Sequence, residues 1–286
     1  MIARRALSDP SRTVREIYRR LSLAWGPQHW WPAESPFEVV VGAFLTQNTS
    51  WTNVEKAIAG LRAAGALSAQ GVRELGIHEL EQLIRPSGYF RQKAKRLKEF
   101  VKFLDSRYGG SVEKMLQQPT AHIREELLVL NGIGPETADS ILLYAGSHPI
   151  FVVDAYSRRV LERHEAVSAN AKYDEIREIV ERALQREAAT TRPGLESLSE
   201  NRPVVHPASA MSMMSRDARV QVLNEMHGLF VQLGKHHCAK KEPACDRCPL
   251  GDLLGHPTGR DTSRNRRARA ARRQGPAKEK SRKWRV

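Results

Sequence analysis

The sequence predicts an all-α protein, and three observations carry that reading. Apolar residues recur at three- and four-residue intervals through most of the chain, the pattern of helices that bury one face. The segments so marked are separated by capping residues, prolines and glycines. One short apolar run, from Pro149, could pass for a strand, but no second run offers it a sheet partner. At 286 residues the chain is long enough for one large or two small domains with real cores.

The N-terminal stretch MIARRALSDPSRTVREIY is amphipathic, with no long apolar centre and no small-residue cleavage site, and no run approaches the length of a membrane span. A cytoplasmic protein is expected. Phe37, Val40, Val41, Phe44 and Leu45 mark one helix and Val54, Ala57 and Leu61 the next. Between them QNTSWTNVE is rich in capping residues, with Thr52 and Glu55 spaced as a capping box, so two helices meet near Gln47 to Trp51. Ile77 to Ile84 forms a short helix that Pro86 and Gly88 end. In the helix YFRQKAKRLKEFVKFL, Phe90, Ala94, Leu97, Val101 and Leu104 give an apolar face. Lys93, Lys95, Arg96 and Lys98 line the opposite side, which reads by default as solvated.

Ile123, Leu127 and Leu130, then Ala138, Ile141, Leu142 and Ala145, mark two helices separated only by NGIGP, which makes a tight helical hairpin. Gly132 and Gly134 flank one apolar residue there. Such a turn lets the backbone approach another molecule closely and leaves N–H groups directed outward, a phosphate-binding arrangement. The competing reading is a connection that merely needs a positive φ. Asp154 closes the apolar run FVVD and precedes AYSRRVLE, the position of an N-cap. A carboxylate at a helix start beside an apolar wall can also assist cleavage of a glycosidic bond through an oxocarbenium-like state, and the two readings are compatible. After Glu187 the helical period lapses through a segment rich in proline and serine, so residues 188–218 read as a mobile insertion. Val222, Leu223, Met226, Phe230 and Leu233 restore the period.

Charge and cysteine are both localised. Lys and Arg number 46 against 32 Asp and Glu, a formal +14. Twelve of the basic residues and only two acids lie between Gly259 and Val286, so ten of those fourteen charges sit in the last 28 residues. This basic disordered tail (259–286) suits a polyanion such as nucleic acid, or simply a solvated terminus. Cys238, Cys245 and Cys248 are an odd number crowded into one stretch, a poor disulfide framework and a better metal-site candidate.

LNGIGPETA followed by VVD, with Asp154 twenty residues beyond Gly134, resembles the helix-hairpin-helix, Gly/Pro-rich, aspartate motif of the endonuclease III superfamily of DNA glycosylases. PFEVVVGAFLTQNTSW is similar to that family's first barrel helix and glutamine turn. WWPAESPFEVVVGAFLTQNTSW with IRPSGYFRQKAKRL resembles more closely the superfamily's bacterial 3-methyladenine DNA glycosylases. The resemblance spans about Trp30 to Arg182 and Leu223 to Leu250. It implies a two-lobed helical fold with a cleft between the lobes. Residues 35–145 would be a helical barrel domain carrying the hairpin at 122–145. Residues 1–34 with 146–258 would be a second lobe carrying the cysteine loop 238–248.

The same resemblance assigns roles. Asp154 is implied as the catalytic carboxylate, acting on a damaged nucleotide turned out of double-stranded DNA. Gly132 and Gly134 are implied to grip the backbone, and Gln47 to lie near the gap the flipped base leaves. Glu136 stands where lyase-active members carry a lysine that forms a Schiff base, and a carboxylate cannot do that. A monofunctional glycosylase is therefore expected, acting as a monomer in the bacterial cytoplasm, at the nucleoid. Trp30, Trp31 and Trp51 correspond to aromatic positions of the base pocket in the 3-methyladenine branch, although tryptophans are more often core residues. Indole faces attract a cationic alkylated purine by about 0.5 to 2 kcal/mol. The three cysteines match the start of the superfamily's [4Fe–4S] pattern, but its fourth position is Leu254, with His237, Asp252 or His256 as conceivable substitutes. A glycosylase with AP-lyase activity on another lesion, and a non-catalytic damage-binding protein, are the alternatives.

Overall fold

The structure is a computed structural model that describes residues 9–190 and 208–254, the side chains of 188–190 excepted. The tail 259–286, His256 and the central part of the insertion (191–207) lie outside the described residues. Among the described residues there are twelve α-helices, short 3₁₀ turns and one π-helical turn, and no strand.

Two groups of helices pack around the cleft. In the first, α2 (Pro36–Leu45) is central, and every residue from Phe37 to Leu45 is buried. A helix apolar on all sides must be surrounded, and α2 packs on α3 (Trp51–Ala63), α6 (Phe90–Tyr108), α7 (Val112–Leu116) and α9 (Pro135–Ser140). Its start is fixed by Ser35 Oγ, which accepts the Glu38 N–H (3.2 Å), and by Pro36 in the first turn. Helices α4 (Ala69–Glu74), α5 (Ile77–Leu83) and α8 (Thr120–Val129) complete this group. In the second group α12 (Ala218–His236) is the buried centre, flanked by α1 (Pro10–Trp25), α10 (Ala155–Arg163) and α11 (Tyr173–Thr190). The π-helical turn Ile141–Ala145 that continues α9 touches both α2 and α12 and so links the groups. No helix among the described residues is long and apolar enough to cross a membrane.

Three local expectations differ from what is observed. Thr52 and Glu55 do not form a capping box, because α3 already starts at Trp51, with Ser50 as its cap residue and no side-chain cap bond. The basic side of α6 is not simply solvated. Lys93 is only 1% exposed, and its ammonium donates to the carbonyls of Leu45 and Ser87 (2.8 Å each), satisfying the C-terminal end of α2. Arg96 and Lys98 are likewise bonded within the fold, Lys98 to the Leu75 carbonyl, and only Lys95 behaves as a surface charge. The run Ile150 to Val153 joins no sheet, as its lack of a partner run implied, and its four side chains are buried in the core. The 188–218 segment is not loose throughout. Helix α11 runs on to Thr190, and residues 209–212 dock on the tryptophan segment, with Met211 and Ser212 buried.

Candidate active site

Three indoles form one wall of a cleft of about 370 Å³. Trp31 meets Trp51 edge-on (5.1 Å between centroids, 90°), and Trp30 lies 5.5 Å from Trp31 and 6.0 Å from Trp51. The segment carrying Trp30 and Trp31, joined by a cis peptide, is pinned from several sides. Glu225 of α12 accepts the Gln28 N–H, Ser209 Oγ accepts the Ala33 N–H (3.1 Å), and Met211 N–H donates to the Ala33 carbonyl (3.0 Å). Gly42 of α2 leaves room for the Trp31 ring, since a Cβ there would come within 3.2 Å of it. Trp30 and Trp31 are 5% exposed, so they are at once core residues and cleft wall.

Asp154 faces these indoles from the start of α10. Its two oxygens have different duties. Oδ1 accepts the Ser157 N–H (2.7 Å) and lies 2.9 Å from Ser157 Oγ, while the Asp154 N–H donates to Ser157 Oγ (2.8 Å), a complete capping box. Oδ2 is left over and turns toward the cleft side, 3.7 Å from His227 Nε2. The N-cap reading of Asp154 thus holds in the structure without consuming the carboxylate.

Glu136, in the first turn of α9, lines the same cleft. Its side chain is exposed at the cleft, yet protein surrounds it on most sides. That poor hydration, and then the Asp154 charge, push its carboxyl up to about 7. Two residues that sequence reasoning did not single out share the cleft: His227, in the middle of α12, and Lys235, near its end. The Lys235 ammonium sits 5.7 Å from the Trp30 ring centre, and burial of its surroundings holds its pKa below the usual lysine range while the charges of Glu55 and Asp154 oppose that. Only the packing of α12 against α10 brings His227 to Asp154.

The hairpin lies beside the cleft. Gln47 Nε2 donates to the Gly132 carbonyl (2.9 Å) and to Thr137 Oγ1 (3.0 Å), and Arg96 donates to Gln47 Oε1 (3.0 Å), so the α2–α3 turn is tied to the hairpin. The two glycines differ in cause. Gly132 has φ +81°, and a Cβ there would lie 2.0 Å from Arg96 Nε, so internal geometry demands it. Gly134 has φ −95° and nothing within 4 Å of an added Cβ. No internal reason for its missing side chain is apparent, and its surroundings are open. Val129, at the hairpin's entry, is 85% exposed.

The cysteine loop stands apart from the cleft. Arg163 of α10 donates to Cys238 Sγ (3.1 Å) and to the carbonyls of Ala239 (2.8 Å) and Lys240 (3.0 Å), and Arg159 donates to the Cys238 carbonyl (2.8 Å). Cys248 Sγ accepts the Leu250 N–H (3.4 Å). His237 has its ring stacked on Trp25 (5.7 Å, 16°), and Leu254 offers no ligand. Among the described residues no group of three or more His, Cys, Asp and Glu side chains is arranged to hold a metal ion. The donor set therefore falls short of the four thiolates that a [4Fe–4S] cluster requires.

Known proteins resemble this chain in sequence and in fold. The profile of the family described as HhH-GPD superfamily base excision DNA repair protein matches residues 41–186. "Putative DNA repair glycosylase MJ1434" of Methanocaldococcus jannaschii is 40% identical over 241 residues, covering 84% of this chain and 94% of that protein. The crystal structure of the H. pylori 3-methyladenine DNA glycosylase MagIII bound to 1,N6-ethenoadenine superposes with a TM-score of 0.62 at 28% identity, over 80% of this chain and 98% of that one. A trapped endonuclease III–DNA covalent intermediate shares the fold, with a TM-score of 0.63 at 21% identity over 85% and 94% of the two chains.

Proposed function

Because the chain belongs to the HhH-GPD superfamily of base excision DNA repair proteins and is a DNA N-glycosylase, we propose that it releases cationic alkylated purines such as 3-methyladenine by hydrolysis alone. The observation that carries this reading is the pairing of a three-indole wall with the free oxygen of Asp154 across one cleft. A base turned out of the stack brings a positive ring, which stacks on indole faces and needs few hydrogen bonds.

In the reaction, the C1′–N bond breaks and its electron pair stays with the base, which leaves neutral. Positive charge passes to the sugar as an oxocarbenium-like centre, facing Asp154 Oδ2. Water then adds through its oxygen to C1′ and gives its proton to the Asp154 carboxylate. Glu136 offers no amine to form an imine with the sugar. The hairpin around Gly132 and Gly134 would hold the phosphate backbone while Gln47 fixes the hairpin to the cleft rim. The cysteine loop is read as closed by Arg163 rather than by iron, and no chemical step is assigned to it.

A second reading has its own observation. The Lys235 amine lines the cleft, so an imine with the opened sugar, and strand cleavage after it, has a nucleophile available. One experiment separates the readings. Duplexes carrying 3-methyladenine, 7-methylguanine, uracil, thymine glycol or a G·T mismatch are incubated with the enzyme, and free base is quantified separately from nicked strand and from borohydride-trapped adduct. Release of the methylated purines without nicking or adduct is expected. Adduct that disappears in Lys235→Ala would establish the second reading, and release of only neutral bases would refute the indole argument.

A further inference from the structure

Asp154 has a neighbour whose placement packing alone does not explain. His227 Nε2 is buried, lines the cleft, and has no hydrogen-bond partner among the described residues; it points at Asp154 Oδ2 from 3.7 Å. The ring's other nitrogen, Nδ1, is hydrogen-bonded to the hydroxyl of fully buried Tyr144, in the π-helical turn after α9. The network assigns the tautomer. If Tyr144 donates to Nδ1, the ring proton sits on Nε2 and faces an anion. The opposite arrangement would set a bare nitrogen lone pair against a carboxylate oxygen.

We propose that His227 is a positioning residue for base release: its Nε2–H, with the ring braced from behind by the Tyr144 hydroxyl, holds Asp154 Oδ2 turned into the cleft. The proposal rests on the reading of Asp154 as the reacting carboxylate. Ser157 secures only Oδ1, and a carboxylate anchored by one oxygen is free to swing the other toward bulk water. A neutral donor at Oδ2 limits that swing without cancelling the charge. Burial favours the neutral imidazole, with Asp154 as the opposing influence. The 3.7 Å gap is roughly half an ångström beyond a hydrogen bond, close enough for a small rotation of either side chain to bridge it. Phe151 packs edge-on against the ring and Phe230 against Phe151, so a purely space-filling role would be met equally well by an apolar residue.

The test is a double-mutant cycle on single-turnover release of 3-methyladenine, with duplex affinity and thermal midpoint measured alongside. His227→Leu keeps bulk and removes the donor; His227→Gln places an amide N–H close to where Nε2 stood. The leucine variant should release base on the order of ten- to a hundred-fold more slowly at unchanged duplex affinity, the scale on which outer hydrogen-bond partners act. The glutamine variant should recover much of that loss. In an Asp154→Asn background the leucine change should cost almost nothing further. Equal rates for leucine and glutamine, or losses that multiply in the Asp154→Asn background, would overturn the proposal. If Asp154→Asn itself releases base at the wild-type rate, the reading of Asp154 fails, and this inference with it. Should His227→Leu lose its thermal transition, Tyr144→Phe decides: a several-fold slower release supports the brace, and an unchanged rate refutes it.

Discussion

Replacing Asp154 by asparagine and by alanine separates the residue's two duties. Asparagine retains an oxygen that can accept the Ser157 N–H now bonded at 2.7 Å, and it caps helices about as well as aspartate, so folding stability should change little. Alanine removes the cap and should cost about 1 kcal/mol, which for a domain of this size lowers the thermal midpoint by roughly 2–4 °C. The chemistry should rank the variants differently. A unit charge about 4 Å from an oxocarbenium-like sugar is worth about 4 kcal/mol at an effective dielectric near 20, which corresponds to about a thousand-fold in rate. Single-turnover release from a 3-methyladenine duplex should therefore fall on the order of a thousand-fold in both variants. Duplex affinity should hold, because the substitution touches no part of the hairpin. If asparagine kept the wild-type rate while alanine lost rate in step with its stability, Asp154 would be a cap and nothing more.

Four further outcomes follow from the same geometry. Trp51→Ala opens the indole wall and should slow excision of a cationic purine about ten-fold more than it weakens duplex binding; equal losses would assign Trp51 to packing. Glu136 has a folded-state pKa near 7, above its unfolded value, so it is neutral below that pH and an added anion above it. For a cationic lesion kcat/KM should rise through about pH 7 in wild type and not in Glu136→Gln. Stability follows the opposite sign, since the folded chain holds this proton more tightly and its contribution is lost as pH rises from about 4.5 to 7. Arg163→Ala removes three charge-assisted bonds to the cysteine loop and should lower the thermal midpoint by several degrees, whereas a chelator should not; a band near 400 nm with four irons per chain would refute this account of the loop. Deleting residues 259–286 should flatten the salt dependence of DNA affinity and leave single-turnover base release intact, and an unchanged slope would make the tail a bystander.

What the sequence made legible is what depends on local pattern. Helical periodicity located α2, α3, α6, the hairpin pair and α12, and Asp154 was readable as a cap because FVVD meets a helical run. The pocket candidates Trp30, Trp31 and Trp51, the lyase-position residue Glu136 and the DNA-contact candidate Gln47 were placed by resemblance, and all line one cleft. Features set by tertiary packing were not legible. Lys93 reads as one more surface lysine until the fold sets the C-terminal end of α2 over it. The 209–212 segment lacks any helical period, yet its hydroxyls and amides match the unpaired groups of the tryptophan segment. His227 and Lys235 lie about 70 to 80 residues from Asp154 in sequence, so no spacing rule links them to it. On α12 His227 is one of several buried polar residues, with Asn224, Glu225 and Gln232, so its polarity alone did not mark it.

The charges around the cleft bear on specificity more directly than its shape does. Asp154 supplies an anion, and Glu136 supplies a second whose charge depends on pH. Lys235 supplies a cation, whose ammonium sits 5.7 Å from the Trp30 ring centre. An incoming cationic purine would compete with that ammonium for Trp30, and a neutral base would have to displace it without bringing a charge of its own. Stacking alone would welcome any large base; displacement of Lys235 toward Asp154 and Glu136 favours one that replaces the lost positive charge. Discrimination between cationic and neutral lesions should therefore shrink in Lys235→Met, which keeps the apolar stem over Trp30 and removes the ammonium. The change should come through faster release of neutral bases. Slower release of all bases alike would show that the lysine serves binding in general.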